Sequence, residues 1–430
     1  MLMRTEGNFT RTVPAPPAKG TPLVQLPGEC LGCHELLEMD GQQLARGVLL
    51  AGASRTGKSQ QQAKMIRQVR QRMSRRDVLV ILDTKGEYAK ELFRSGDVIL
   101  GTGGPLEPTA RWNLFRDCTT GCKTKAELTQ RIEMLASRVF CRENLDVPFF
   151  TDAPRRVLEE LLETLLRHSD LLPKGEVLDN HGLLAFLRRG DWSRFLSLCS
   201  APQEMRGYIG DGKHMNPTEH SVLAELLINV TMSLCGVWGG HGTFSMADFE
   251  ANRSGRTMFL QYDLRDGGAA DNVYQLLIDL LLISFMNGSN ADGRLYLFLD
   301  EIHLLGKSPE MLSRALNYGP GIGLGCVCVG AQSLAQLEGL CGKASMETLL
   351  AGLQTRILFR MEDDPSREFV KEQCGRVRTM QYQFVPGISY TGSAGQFEDA
   401  VTDEELLRMG VGQAIVKIPG RPAFFFYFDP

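Results

Sequence analysis

The stretch Gly52-Ala53-Ser54-Arg55-Thr56-Gly57-Lys58-Ser59 places two glycines, a lysine and a hydroxyl at the spacing that holds a phosphate chain. The glycines let backbone N–H groups curl around an anion, and a helix starting there adds partial positive charge. Lys58 then reaches the β- and γ-phosphates of ATP, while the Ser59 hydroxyl ligates Mg²⁺. With Gln60 included, residues 52–60 form the expected nucleotide-binding stretch. The plain alternative is a chance glycine-rich turn. An apolar run before the loop and a helical pattern after it argue for the phosphate loop.

A phosphate loop requires an acidic partner on a neighbouring strand, and Leu295-Tyr-Leu-Phe-Leu-Asp300-Glu301 supplies one. Five apolar residues end in two carboxylates where a buried strand would emerge. Asp300 suits the Mg²⁺ side, and Glu301 suits polarising the attacking water. The adjacent pair implies hydrolysis as well as binding. His303 is read as a packing or hydrogen-bonding residue in preference to a metal ligand. A third apolar run, Leu324 to Val329, ends at Gly330-Ala331-Gln332-Ser333. Gln332 can hydrogen-bond the γ-phosphate or the water without bringing charge, so it is read as a catalytic sensor in preference to loop filler.

These groups need a scaffold that brings several strand ends to one edge. Asp77 to Leu82 is a continuous apolar run of strand length, the form of a strand buried on both faces. Similar runs recur at Thr257 to Gln261, Leu295 to Leu299, Leu324 to Val329, Arg356 to Phe359 and Ala414 to Ile418, with helical patterns between most of them. The expected fold class is therefore α/β, with a central, mostly parallel sheet flanked by helices. Residues 151–238 break the alternation. Asp152 is a plausible helix N-cap with Pro154 in the first turn, and Val157, Leu158, Leu161, Leu162, Leu165 and Leu166 recur at helical spacing. The expected organisation is a flexible leader at 1–22, a nucleotide-binding domain at 23–150 and 239–430, and an inserted all-α domain at 151–238.

Composition limits the alternatives. The chain has 430 residues, 43% hydrophobic and 23% charged, which excludes a mostly disordered chain. A net charge of −4 argues against wholesale electrostatic coating of nucleic acid and leaves room for a local basic channel. Val273 to Met286 is the most apolar stretch; it is interrupted by Asp279 and falls short of the roughly 20 residues a bilayer needs. The N-terminus lacks the layout of a signal peptide, so the expectation is a soluble chain without its own anchor. Eleven scattered cysteines favour reduced thiols in the cytosol. The close pairs Cys30/Cys33, followed by His34, and Cys118/Cys122 are read as incidental in preference to a shared zinc site.

Taken together, the residues resemble the soluble ATPase part of type IV secretion coupling proteins of the TraG/TraD type, within the FtsK/HerA group of P-loop translocases. Besides the phosphate loop and Asp300-Glu301, the segment Asp83-Thr84-Lys85-Gly86-Glu87 is similar to that family's Asp-Pro-Lys-Gly-Glu. Trp112-Asn113-Leu114 resembles its Trp-Asn-Pro turn, and Phe244 to Phe249 and Gln332-Ser333 also match. Leu406 to Pro422 resembles the closing hairpin with its Gly-x-Gly-Gln turn. Thr84 stands where the family usually has proline, and the transmembrane helices usual before the loop are not seen.

The resemblance implies a RecA/FtsK-like P-loop NTPase with an all-α insertion, assembled as a homo-hexamer with ATP and Mg²⁺ at subunit interfaces. It implies DNA, a relaxase or a secreted protein as cargo. It also implies a cytoplasmic location, at the inner face of the membrane through a separate anchor or channel partner. An arginine from a neighbouring subunit normally completes such a site; Arg356 and Arg360 are candidates, read first as solvated strand-end residues. The basic helix bearing Lys64, Arg67, Arg70, Arg72, Arg75 and Arg76 is read as a solvated or inter-subunit face at least as readily as a DNA contact. Trp192, Tyr208 and Trp238 are read first as core. Three functions stay open: a conjugative coupling motor, a HerA/FtsK-like translocase in repair or phage defence, and a nucleotide-switched adaptor with little turnover.

Overall fold

Nine strands of one sheet hold the phosphate loop and the strand ends around it. In a computed structural model, residues 2–5, 9–10, 21–140, 148–266, 268–287, 293–305, 310–385, 388–392 and 397–430 are described. They group into two units: Met1–Leu82 with Ser289–His303 and Ser308–Pro430, and Asp83–Gly288 with Leu304–Lys307. This division falls at neither 150/151 nor 238/239, because residues 83–150 and 239–288 group with the helical region rather than with the phosphate loop.

In the first unit the strand order is Cys33–Met39, Val24–Cys30, Ala423–Phe428, Gln413–Lys417, Thr355–Phe359, Val48–Ala51, Leu324–Ala331, Leu295–Leu299, Val78–Asp83. The last five of these run parallel, and the first four form antiparallel hairpins that extend the sheet. Every residue of Val48–Ala51, Leu295–Leu299 and Leu324–Ala331 is buried. That explains their unbroken apolar sequences, since strands covered on both faces have no solvent side on which to alternate. A smaller sheet pairs Arg376–Val385 with Ile388–Gly392, Phe397–Asp399 and Leu2–Thr5. Phe9–Thr10 pairs with Ala423–Phe428. Residues 1–22, expected as a leader without elements, thus contain two short strands, each given partners by a later strand.

The second unit contains the parallel pair Val98–Leu100 and Thr257–Gln261 and a run of helices. Between residues 151 and 238 every element is helical. The helix at its start spans Phe149–Arg167, beginning two residues before the expected boundary at 151, so Asp152 lies inside it and pairs with Arg155 at 2.6 Å instead of capping it. Its core face is Val157, Leu158, Leu161, Leu162 and Leu165. Asn180–Arg189 and Trp192–Leu198 are separate helices, broken at Gly190 and restarted by Asp191, whose carboxylate accepts from the Arg194 N–H at 3.0 Å. Asn216 and Glu219 form a reciprocal cap at the start of Pro217–Ser233.

Trp112 and Asn113 tie this unit's segments together. Asn113 caps Leu114–Thr119 by accepting from Phe115 N, and donates to the carbonyls of Leu178 and Gly242. Asn180 accepts from Leu114 N and donates to Trp112 O and Trp238 O. Trp112 donates to Asp117, which also accepts from the backbone of Met246 and Ala247. Trp238 is fully buried, the core placement expected for it. The apolar stretch around Val273 lies in helix Asp271–Asn287, where Asp279 pairs with Arg138 at 2.8 Å. No helix among the described residues is long and apolar enough to cross a membrane.

Candidate phosphate-binding site

Strand Val48–Ala51 runs straight into the glycine loop, and helix Lys58–Arg72 leaves it. Gly52 has φ +152° and Gly57 φ +113°, and Arg55 between them is left-handed at φ +62°. A Cβ on Gly52 would lie 2.6 Å from that of Phe359, so only glycine fits there. The loop is held from outside as well as by its own turns. Ala53 N donates to Arg360 O at 2.8 Å, Gly52 N to Ala331 O at 3.1 Å, and Gly412 N to Thr56 O at 2.9 Å. Gly412 O in turn accepts from Phe428 N at 2.8 Å, so the C-terminal hairpin buttresses the loop. The Gly-x-Gly-Gln turn is visible in the sequence, but the contact it makes is not.

The Lys58 side chain is buried in the cradle, where Nζ donates to the carbonyls of Gly52 and Ala53. Ser59 Oγ donates to Asp300 Oδ1 at 3.4 Å. Asp300 gets there although its strand does not neighbour the loop strand. Leu324–Ala331 lies between Val48–Ala51 and Leu295–Leu299, which corrects the expected adjacency. Parallel strands bring all their C-terminal ends to one edge, so a carboxylate one strand further away still reaches the loop. The close fit is visible at Gly330, where a Cβ would stand 1.9 Å from Asp300 O. Gly330→Ala is therefore expected to destabilise the protein by roughly 1–3 kcal/mol, the usual range for overpacking, read as a lower urea midpoint. An unchanged midpoint would show that the two strand ends can part to admit a methyl group.

Glu301 is almost completely buried, and two neighbours hold it. Gln332 Nε2 donates to its Oε1 at 2.9 Å, and His303 Nδ1 stands 3.3 Å from its Oε2. Burial pulls the Glu301 carboxyl up. The contacts with His303 and Gln332 and the nearby Lys58 charge outweigh it and hold the group below its ordinary value. Glu301 is thus an ionised acceptor at neutral pH, oriented by Gln332 and His303 together. His303, lying beside the Glu301 carboxylate, is placed as its reading as a packing or hydrogen-bonding residue has it. Contacts to a charged group are worth about 1.5 kcal/mol each, so for the nucleotide hydrolysis proposed below His303→Ala or Gln332→Ala is expected to slow turnover about tenfold, read in steady-state assays. Unchanged rates in both variants would remove them from the site.

Other residues singled out in the sequence lie elsewhere or have other work. Arg356 donates to Leu350 O at 2.8 Å and to Gln373 and stacks on Phe369, so its guanidinium is used within its own chain. Arg360 pairs with Glu362 at 3.1 Å. On the basic helix, Lys64 donates to Asp429 O at 2.6 Å and Arg72 to Pro22 O at 2.8 Å. Those two charges anchor the chain's own backbone. Asp83 accepts from Ala89 N at 2.8 Å in the first turn of helix Glu87–Leu92, and Gly86, the N-cap, passes so close to Gly104 and Pro105 that a Cβ would clash. Cys30 and Cys33 flank the turn Leu31-Gly32 as a cross-strand pair, one buried and one exposed. Burial and the neighbouring Asp117 drive the Cys118 thiol up, away from the thiolate a metal requires.

The site as built can hold a polyanion and an oxygen-ligated cation. The loop is shaped by positive-φ backbone, Lys58 is buried in it, and Ser59 and Asp300 form a hard, all-oxygen donor pair of the kind Mg²⁺ takes. A glycine loop at the end of a central parallel strand, faced by carboxylates from another strand end, defines a P-loop NTPase fold. The profile of the type IV secretion-system coupling protein DNA-binding domain matches residues 36–424. The chain belongs to that family. It is 24% identical over 352 residues to the coupling protein TraD of Escherichia coli (strain K12), covering 76% of this chain and 43% of TraD. The chain thus spans less than half the length of that relative. The plasmid coupling protein TrwB in complex with the non-hydrolysable ATP analogue ADPNP superposes with a TM-score of 0.72 at 19% identity, over 96% of this chain and 90% of that one. TrwB in complex with ADP and Mg²⁺ gives 0.71 at 20% identity, over 91% and 87%.

Proposed function

We propose that this chain is an ATP-hydrolysing motor that recruits and moves DNA or nucleoprotein in conjugative type IV secretion. The observation that carries the reading is the Glu301 carboxyl, held by Gln332 with His303 beside its other oxygen, at the same sheet edge as the buried Lys58. Residues 52–60 hold the nucleotide, with Lys58 on its terminal phosphates. Ser59 and Asp300 hold Mg²⁺, which supplies charge neutralisation for the transferring phosphoryl group. Glu301 accepts a proton from the attacking water, and Gln332 fixes the carboxylate that receives it. TraD being a coupling protein, and TrwB having been captured with ADPNP and with ADP and Mg²⁺, support this assignment.

In this reading the helices of 151–238 recruit cargo and the active assembly is a homo-hexamer. The ring works at the inner face of the membrane through an anchor or channel partner. The test measures ATP turnover with and without single-stranded DNA, and particle mass with a non-hydrolysable ATP analogue. DNA-stimulated turnover together with a nucleotide-dependent ring is expected. Nucleotide binding with no turnover at any DNA concentration would replace the motor with a nucleotide-switched adaptor.

A further inference from the structure

Away from the phosphate loop, three side chains of the second unit face one another. Glu176 precedes helix Asn180–Arg189, His181 lies in its first turn, and His241 follows the short 3₁₀ turn Gly236–Gly239. One ligand atom from each lies within 4.8 Å of the other two. The imidazole rings stand 4.3 Å apart, tilted by 40°. We propose that Glu176, His181 and His241 form a divalent transition-metal site, of the kind zinc occupies, which clips this helix to the segment that follows the helical region.

The donor chemistry fits. Two imidazoles and a carboxylate are a borderline set that favours zinc over Mg²⁺ or Ca²⁺, and three protein ligands leave a fourth position for water. Zinc bonds of about 2.0–2.1 Å in a tetrahedron put donors about 3.3 Å apart. Reaching that requires the 2.7 Å Glu176–His181 contact to open slightly and His241, whose side chain is 59% exposed, to turn toward the other two. The carboxylates are less mobile: the Glu176 and Asp179 side chains are only 8% and 3% exposed.

The surroundings are those of a built site. Asp179 Oδ2 stands 2.9 Å from His241 Nδ1, and its other oxygen accepts from Gly182 N at 2.9 Å as the helix cap. A carboxylate on one ring nitrogen fixes the tautomer and makes the opposite nitrogen the metal donor. Glu176 Oε2 lies 2.7 Å from His181 Nδ1, and its Oε1 takes Arg189. Arg189 is 61% exposed on a long stem and can swing into solvent as a divalent ion takes over its charge beside the nearly buried Glu176. None of the cysteines noted in the sequence belongs to this cluster, and it involves no residue of the phosphate loop.

The full chain, stripped of metal by a chelator and free of nucleotide, is titrated with Co²⁺ as a spectroscopic stand-in and then with Zn²⁺. One equivalent of Co²⁺ giving d–d absorption without thiolate charge transfer is expected, displaced by Zn²⁺. That equivalent should vanish in the His181→Ala/His241→Ala double variant. Asp179→Asn keeps the helix cap and should weaken the affinity roughly ten- to a hundredfold. Far-ultraviolet circular dichroism checks that each variant folds. Uptake unchanged in the double variant overturns the proposal, as does a spectrum dominated by thiolate charge transfer or no uptake at all. Because no nucleotide is present, the result is independent of the motor reading.

Discussion

Lys58→Ala is expected to cut ATP turnover about a thousandfold and to weaken nucleotide binding at the same time. Lys58 Nζ is buried and already satisfied by the carbonyls of Gly52 and Ala53, which hold the ammonium where a phosphate chain would lie in the loop. In a site shielded from water, one such charge aimed at the transferring phosphoryl group is worth roughly 3–4 kcal/mol of transition-state stabilisation, which is where the thousandfold comes from. Alanine removes the charge and leaves two loop carbonyls without their donor, a further loss of about 1–3 kcal/mol unless the loop relaxes. Binding therefore suffers along with turnover. The measurement is ATP affinity by calorimetry beside steady-state rates, with thermal unfolding as the check on the fold. Full affinity with full turnover would show that Lys58 only braces the loop.

What the sequence made legible follows the range of the interactions. The phosphate loop is local: eight adjacent residues set both its backbone and its charge. Buried strands were equally legible, because burial on both faces leaves an unbroken apolar run. Their order was not. No local pattern distinguishes Leu295–Leu299 beside the loop strand from the same strand one place further out, and the second is found. Long-range backbone contacts were also invisible. Gly412 reaching Thr56, and Lys64 reaching Asp429, join residues hundreds of positions apart, so the basic helix read as a solvated or inter-subunit face also holds the residue that follows the C-terminal strand. The capping role assigned to Asp152 failed because the helix begins at Phe149, before the apolar pattern starts. Glu176, His181 and His241 shared no motif spacing at all; only the fold brings the third to the other two.

Glu301→Gln separates binding from chemistry, and it should leave ATP affinity nearly intact while hydrolysis falls by about 10²–10⁴. The amide is isosteric and keeps an oxygen to accept from Gln332, so the geometry set by that 2.9 Å hydrogen bond survives. What is lost is the ability to take a proton. Because His303, Gln332 and Lys58 hold the carboxyl below its ordinary value, the wild-type carboxylate is ionised throughout the neutral range. Its rate should therefore stay flat as pH falls from 8 to 6 as far as Glu301 is concerned, with loss only below the ordinary carboxylate range. Removing His303 lifts one of the groups holding it down and should move that acid limb upward, a shift a purely structural histidine would not cause. In the Gln variant the limb should disappear along with the rate. Retained hydrolysis in Glu301→Gln would move the proton acceptor to another group at this sheet edge and leave Glu301 as a positioning residue.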